Sequence, residues 1–183
     1  MEAYYAFVKK VVLAFNEAGL DYAFTGALAT SFYGTPRTTS DIDVIVAMAS
    51  EADVKAKLIT ALHRAGLAVD ERKIDSALTS SFKIATFKDA TSPYRIDVIF
   101  SSEKMDKRAS KIAGLNTFFQ APEGLIAAKL RMIKATLPPE RAAKDKTDIK
   151  GILKFTKVNL ETVKKQAKKD KTLEVFEALG LNA

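Results

Sequence analysis

The chain of 183 residues has no cysteine, no tryptophan and a single histidine, His63. Without cysteine there is no disulfide, no thiolate metal site and no cysteine nucleophile. One histidine excludes a metal site built from several imidazoles. Glycine and proline are sparse, at 8 and 5, which argues against disorder beyond the ends. No apolar run is long enough for a bilayer, and the opening MEAYYAFVKKVVLAFNEAG lacks the basic-then-apolar order of a signal peptide. These absences lead us to expect a soluble, cytoplasmic protein without a membrane partner. What remains is 48% hydrophobic, enough for one domain, or one domain with a helical extension.

Positive charge is abundant but unevenly placed. Residues 1–140 hold 18 Lys and Arg against 16 Asp and Glu, whereas residues 141–171 hold 11 against 4. The net charge of +7 therefore sits almost wholly in the C-terminal part. A localised basic segment suggests a polyanionic partner, nucleic acid before membrane. A lysine-rich solvated face on helices is the alternative.

Hydrophobic periodicity organises the chain. Residues 2–18 read as an amphipathic helix with Tyr4, Val8, Val11, Val12 and Phe15 on one face, closed by Gly19. A strand over 21–25, a helix over 26–33 and a strand over 41–47 follow. Ser50 is placed to cap a helix over 51–65. Strands are expected at 67–70, 80–88 and 94–100, a short helix at 103–110 and a strand near 115–120. Beyond residue 121 the pattern is purely helical, at 122–135, 140–155, 159–169 and 171–179, with Pro122 and Glu123 suited to a first helical turn. This shift divides the chain into a mixed part, 1–120, and a basic helical part, 121–183.

The strand over 41–47 carries Asp41 and Asp43 in an apolar run. Alternation sends both carboxylates to one face and Ile42, Val44 and Val46 to the other. Aspartate is a poor strand residue, and neighbouring carboxylates repel. A divalent cation would offset that repulsion. The run YRIDVIF supplies a third strand aspartate, Asp97. Upstream, Gly26 lies where a strand turns into a helix, a place where backbone can approach a phosphate. In the helix over 122–135, Lys129 projects into the apolar stripe between Leu125 and Ile133. It either snorkels or reaches a buried anion. Arg141, Asp145 and Asp148 share a helix face, which also suits a plain ion pair. Arg37 lies in the loop before the aspartate strand, within range of a phosphate or of an aspartate. His63, near a helix end, is assigned no role.

Together, TGALATSFYGTPRTTSDIDVIV and YRIDVIF resemble the nucleotidyltransferase superfamily of DNA polymerase beta type. GTPRTTSDIDVIV resembles the branch that holds the AbiEii-type abortive-infection toxins and related prokaryotic proteins. The similarity continues in PEGLIAAKLRMI and RAAKDKTDI, and so runs over residues 20–155. It implies an α+β nucleotidyltransferase fold, a short mixed sheet flanked by helices with a C-terminal helical extension. It implies transfer of a nucleoside monophosphate from an NTP to an acceptor hydroxyl. Asp41, Asp43 and Asp97 would be catalytic and would hold two magnesium ions. Gly26 and Ala27 would lie under the triphosphate, with Arg37, Lys129, Asp145 and Asp148 as further nucleotide-binding positions. The family turn usually carries Gly-Gly or Gly-Ser, so Ala27 removes a hydroxyl there. Thr25 and Ser31 are candidates to replace it.

The acceptor stays open at this point. tRNA or another nucleic acid suits the basic C-terminal helices, whereas a cationic aminoglycoside would call for an acidic pocket. Protein modification by AMP transfer is a third option. A different class of reading is a non-catalytic binding module of a toxin–antitoxin pair, with a cognate antitoxin protein as partner.

Overall fold

The computed structural model describes residues 2–34, 36, 39–48 and 50–181, with backbone alone at 139 and 141. The chain divides into two compact units. One comprises Met1–Leu28 and Thr38–Gln120, the other Ala29–Arg37 and Ala121–Ala183.

The first unit is built on a six-stranded mixed sheet. Its elements are α1 (Glu2–Glu17), β1 (Tyr22–Thr25), the start of α2 (Gly26–Tyr33), β2 (Asp41–Ala47), α3 (Glu51–Arg64), α4 (Glu71–Thr79), β3 (Ile84–Lys88), β4 (Arg95–Ser101), β5 (Lys107–Ile112) and β6 (Leu115–Gln120). The strand order is β3-β4-β2-β1-β6-β5. β2 runs parallel to β4 and antiparallel to β1, while β1 and β6 are parallel. In β2 and β4 alternate residues are buried: Ile42, Val44 and Val46, then Ile96, Val98 and Phe100. That face meets the apolar stripe of α1, where Phe15 packs edge-on against Tyr22 of β1 at 5.3 Å between centroids. Each such buried side chain contributes about 1.5–3 kcal/mol. The opposite face of β2 and β4 is half-exposed and carries the aspartates.

Four expectations are corrected here, and one helix lies where none was expected. Residues 71–79 form a helix, α4, whose N-terminus is capped by the Asp70 carboxylate accepting from the Arg72 amide at 3.1 Å. In place of a strand over 67–70 there is one isolated bridge, Leu67 to Asp89, and the strand placed at 80–88 begins only at Ile84. The segment read as a helix at 103–110 is instead strand β5 from Lys107. A two-residue turn, Ala113-Gly114, takes positive φ at both positions (50° and 81°). That geometry matches the twist of a hairpin and pairs β5 with β6 from Ile112–Leu115 to Lys107–Gln120. Cross-strand pairing thus overrode the local pattern. Ser50 occupies the position before α3, but its side chain makes no capping bond.

The second unit is helical: α5 (Pro122–Ala135), a short 3-10 turn (Pro139–Ala142), α6 (Ala143–Phe155), α7 (Leu160–Lys169) and α8 (Leu173–Ala178). Its core includes Leu125, Ile126 and Leu130 of α5, Ile149 and Ile152 of α6, Val163 of α7 and Phe176 of α8. The Asn159 side chain caps α7 by accepting from the Thr162 amide at 3.1 Å. No described helix is long and apolar enough to cross a membrane.

Candidate active site

Strand register arranges the half-exposed face of the first unit in rows. The central row is Thr86, Asp97, Asp43 and Thr25, on β3, β4, β2 and β1 in turn. Asp97 and Asp43 are direct partners on parallel strands, whose backbones lie about 4.8 Å apart. One step along, the row is Lys88, Arg95 and Asp41. One step the other way it is Ile84, Ile99, Ile45 and Ala23, without charge. All three sequence-predicted carboxylates therefore share a face, at the junction of a basic row and an apolar one.

Each acid has identifiable neighbours. The Thr86 hydroxyl donates to Asp97 Oδ1 at 2.6 Å. Arg95 donates to Asp41 Oδ2 at 2.7 Å, and the Ser40 hydroxyl to Asp41 Oδ1 at 2.7 Å. Tyr4 of α1 donates to the Asp41 carbonyl at 3.3 Å. Burial, and then the charges of Asp43 and Asp41, push the Tyr4 hydroxyl well above the ordinary tyrosine range, so it stays protonated.

Gly26 stands against Asp43. It has a φ of +57°, and a Cβ built there would fall 2.0 Å from Asp43 Oδ2. No other residue fits without moving the carboxylate, so the glycine is required by close approach as well as by conformation. Ala27 is buried as the next residue of α2. The Thr25 hydroxyl, a candidate substitute for the missing turn serine, donates to Gln120 Oε1 at 2.6 Å and is buried. Arg37 lies outside the described residues.

In the second unit, Lys129 is 7% exposed, so it does not snorkel. Its Nζ donates to Asp145 at 3.0 Å and to Asp148 at 2.6 Å. These three predicted positions are brought together, with two acids around one cation.

Oxygen donors on one strand face suit a hard divalent cation, and the space kept by Gly26 leaves Asp43 its position. Among the described residues, however, no three carboxylates or histidines stand together as a ready-made metal cage. Asp41 is instead bound to Arg95, and Asp97 to Thr86. Were a divalent cation bound here, Asp41, Asp43 and Asp97 would be the residues to hold it.

Sequence reading missed Arg95, Thr86, Ser40 and Tyr4. Arg95 was within reach, because it lies two residues before Asp97 on one strand and so shares its face. Thr86 and Tyr4 depend on pairing and packing between distant segments, which no local pattern encodes.

No protein-family profile and no curated protein sequence matches the chain. Solved structures do. An antigenic nucleotidyltransferase-like protein from Paracoccidioides brasiliensis matches with a TM-score of 0.62 at 15% identity, over 95% of this chain and 91% of that one. The antibiotic-resistance factor ANT(2'')-Ia, in complex with adenylyl-2''-tobramycin, matches with a TM-score of 0.65 at 13% identity, over 92% of this chain and 97% of that one. Its solution structure gives 0.64 at 13% identity, over 96% and 94%. At such identities the likeness concerns the fold, and it agrees with the mixed sheet and flanking helices described above: this chain has an α+β nucleotidyltransferase fold.

Proposed function

We propose that this chain is a metal-dependent nucleotidyltransferase that moves a nucleoside monophosphate from an NTP to an acceptor hydroxyl. The observation that carries the reading is the central row, with Asp43 beside Asp97 in register, Asp41 two residues away and the Gly26 backbone against Asp43. Magnesium held by Asp41, Asp43 and Asp97 would neutralise phosphate charge and favour ionisation of the attacking hydroxyl. The protein's own part is to fix three acids on rigid strands, where their geometry costs no reorganisation. Thr86 orients Asp97, while Ser40 and Arg95 orient Asp41. Backbone amides at the start of α2 favour an anionic ligand. Lys129, Asp145 and Asp148 fix one another inside the second unit, so we read them as a positioning group for the nucleotide.

For the acceptor we favour tRNA or another nucleic acid, on the strength of the basic C-terminal helices. ANT(2'')-Ia carries an adenylylated tobramycin, but a cationic sugar matches the lysine excess here less well. An AbiEii-type toxin role, with a cognate antitoxin as partner, extends the same reading.

A second reading is a non-catalytic nucleotidyltransferase-fold module. It is favoured by Ala27, which has no hydroxyl, and by the engagement of Thr25 with Gln120. One experiment separates the two. Labelled NTPs, magnesium and total cellular RNA and protein are incubated with wild type and Asp43→Asn. Transfer by wild type and none by the variant supports the enzyme. Equal labelling by both sinks the catalytic assignment, and absence of NTP binding in wild type leaves the module. A salt titration of RNA binding then tests the polyanion. Replacing Lys164, Lys165, Lys168 and Lys169 by glutamine should flatten the slope of log affinity against log salt and spare NTP binding.

A further inference from the structure

Beside the carboxylate rows, within the first unit, α4 and the edge strand β3 enclose a groove of ≈ 580 Å³. Its lining includes Asp70, Arg72, Lys73, Ser76, Ser80 and Thr86. Thr86 ties the groove to the site. Its hydroxyl donates to Asp97, and its carbonyl accepts from Lys73 Nζ at 3.4 Å. A ligand touching Lys73 is therefore one residue from the third carboxylate.

Charge on α4 is sorted between its sides. Glu71 and Asp75 are paired with Lys55 of α3, at 3.8 Å and 2.6 Å. Arg72, Lys73, Ser76 and Ser80 line the groove, where the one acid, Asp70, is held by the Arg72 amide and guanidinium. The groove thus carries two cations and three hydroxyls against a single carboxylate; Arg72 pairs with that carboxylate, Ser80 donates to the Phe82 carbonyl and Thr86 donates to Asp97. Between the lining residues Ser80 and Ile84 stands Phe82, which is 81% exposed. Cations that track a phosphate chain beside an exposed aromatic ring are the combination that holds single-stranded nucleic acid.

We propose that this groove is the acceptor channel and that it takes the hydroxyl-bearing end of a single-stranded nucleic acid. Arg72 and Lys73 contact phosphates, Phe82 stacks on a base, and the terminal hydroxyl is led along Thr86 towards Asp97. The proposal rests on the nucleotidyl-transfer reading for its purpose, but not for its test.

The full-length protein is irradiated with a short single-stranded oligoribonucleotide carrying a photoactivatable base at its hydroxyl end, and the labelled peptide is mapped. Label between residues 72 and 86 is expected. In parallel, anisotropy measures the affinity of the same oligonucleotide. Arg72→Ala combined with Lys73→Ala, and separately Phe82→Ala, should each weaken binding by about tenfold. Ser76→Glu, which puts a negative charge into the groove, should weaken it too. All four positions are exposed, and an unchanged melting temperature confirms that the variants fold. Label confined to the lysine-rich helices after residue 141, or equal affinity of wild type and variants, overturns the channel while nucleotidyl transfer stands. Failure of the oligonucleotide to bind while a protein is labelled overturns it as well. Groove labelling in a protein that binds no NTP supports the channel and removes the enzyme reading instead.

Discussion

The aspartates of the sheet and those of α6 are kept in opposite ways. Asp145 and Asp148 close on one buried lysine, and all three side chains are at most a quarter exposed. Asp41, Asp43 and Asp97 share an open strand face, where the half-exposed Arg95 pairs with Asp41. The first arrangement shares one buried cation between two acids and so ties α5 to α6. The second gathers three acids on one half-exposed face, where partners can exchange. The contrast separates a group that holds from a group that receives.

Neutralising substitutions should therefore act in opposite directions, and this is the largest effect we expect. Lys129→Met keeps the side-chain volume but takes the buried cation away from Asp145 and Asp148, and should destabilise the protein by about 3 kcal/mol. Adding Asp148→Asn should recover part of that loss. Asp43→Asn relieves repulsion and should leave the melting temperature in metal-free buffer unchanged or higher. Urea midpoints measure both. If Lys129→Met were neutral and Asp43→Asn strongly destabilising, the comparison would be inverted.

Gly26→Ala comes next. The added methyl meets Asp43 Oδ2, and the residue must hold a φ of +57°. Together these should lower stability by about 2 kcal/mol. In an Asp43→Ala background the loss should shrink, since the carboxylate is gone, although the Asp43 Cβ still lies 2.9 Å from the added atom. A loss of the same size in both backgrounds would assign the whole effect to backbone conformation and none to the carboxylate.

Much of the site was legible in the sequence because its signals are local. Alternation placed Asp41 and Asp43 together, the apolar run around Asp97 marked a strand, and the strand–Gly–helix transition marked Gly26. The spacing of Asp145 and Asp148 put them on one face, and the stripe around Lys129 required either snorkelling or an anion. What stayed hidden depends on register. That Asp43 faces Asp97, that Arg95 reaches Asp41 and that Thr86 reaches Asp97 are properties of pairs 11 to 54 residues apart. The hairpin of β5 and the helix α4 were hidden for a related reason. β5 reads KRASKI, which has no apolar alternation, and it becomes a strand only by pairing with β6.

A third way of keeping an acid sharpens the comparison. Asp89 is buried and bound by hydrogen bonds instead of by a paired cation. Its Oδ1 accepts from the amide and the hydroxyl of Thr91, both at 2.8 Å. Burial raises its pKa, but the Thr91 and Ser92 bonds, with some help from Lys10, outweigh it and leave the carboxyl below its usual value. A depressed native pKa contributes stability that is complete above the unfolded value, about 3.9, and is lost as pH falls through the native value. Asp89→Asn should thus cost about 1 kcal/mol near neutral pH. The gap to wild type should close on acidification below that range. A gap of equal size at neutral and strongly acidic pH would show that the Asp89 charge is irrelevant.

The smallest expected effect bears most directly on the receiving face. If Arg95 stands where a metal ion would otherwise balance Asp41, removing it should make the face bind cations more readily. The pair is half-exposed on the arginine side, and such pairs contribute at most about 1 kcal/mol. Arg95→Met should therefore tighten manganese binding by roughly twofold to fivefold, read by paramagnetic resonance of the free ion without any turnover assay. The same change at Arg131, whose guanidinium pairs with Asp170 in the second unit, should leave manganese affinity where it was. If Arg95→Met weakened manganese binding instead, Arg95 would be a support that holds Asp41 in place for the metal. The sheet would then resemble α6 more than the comparison allows.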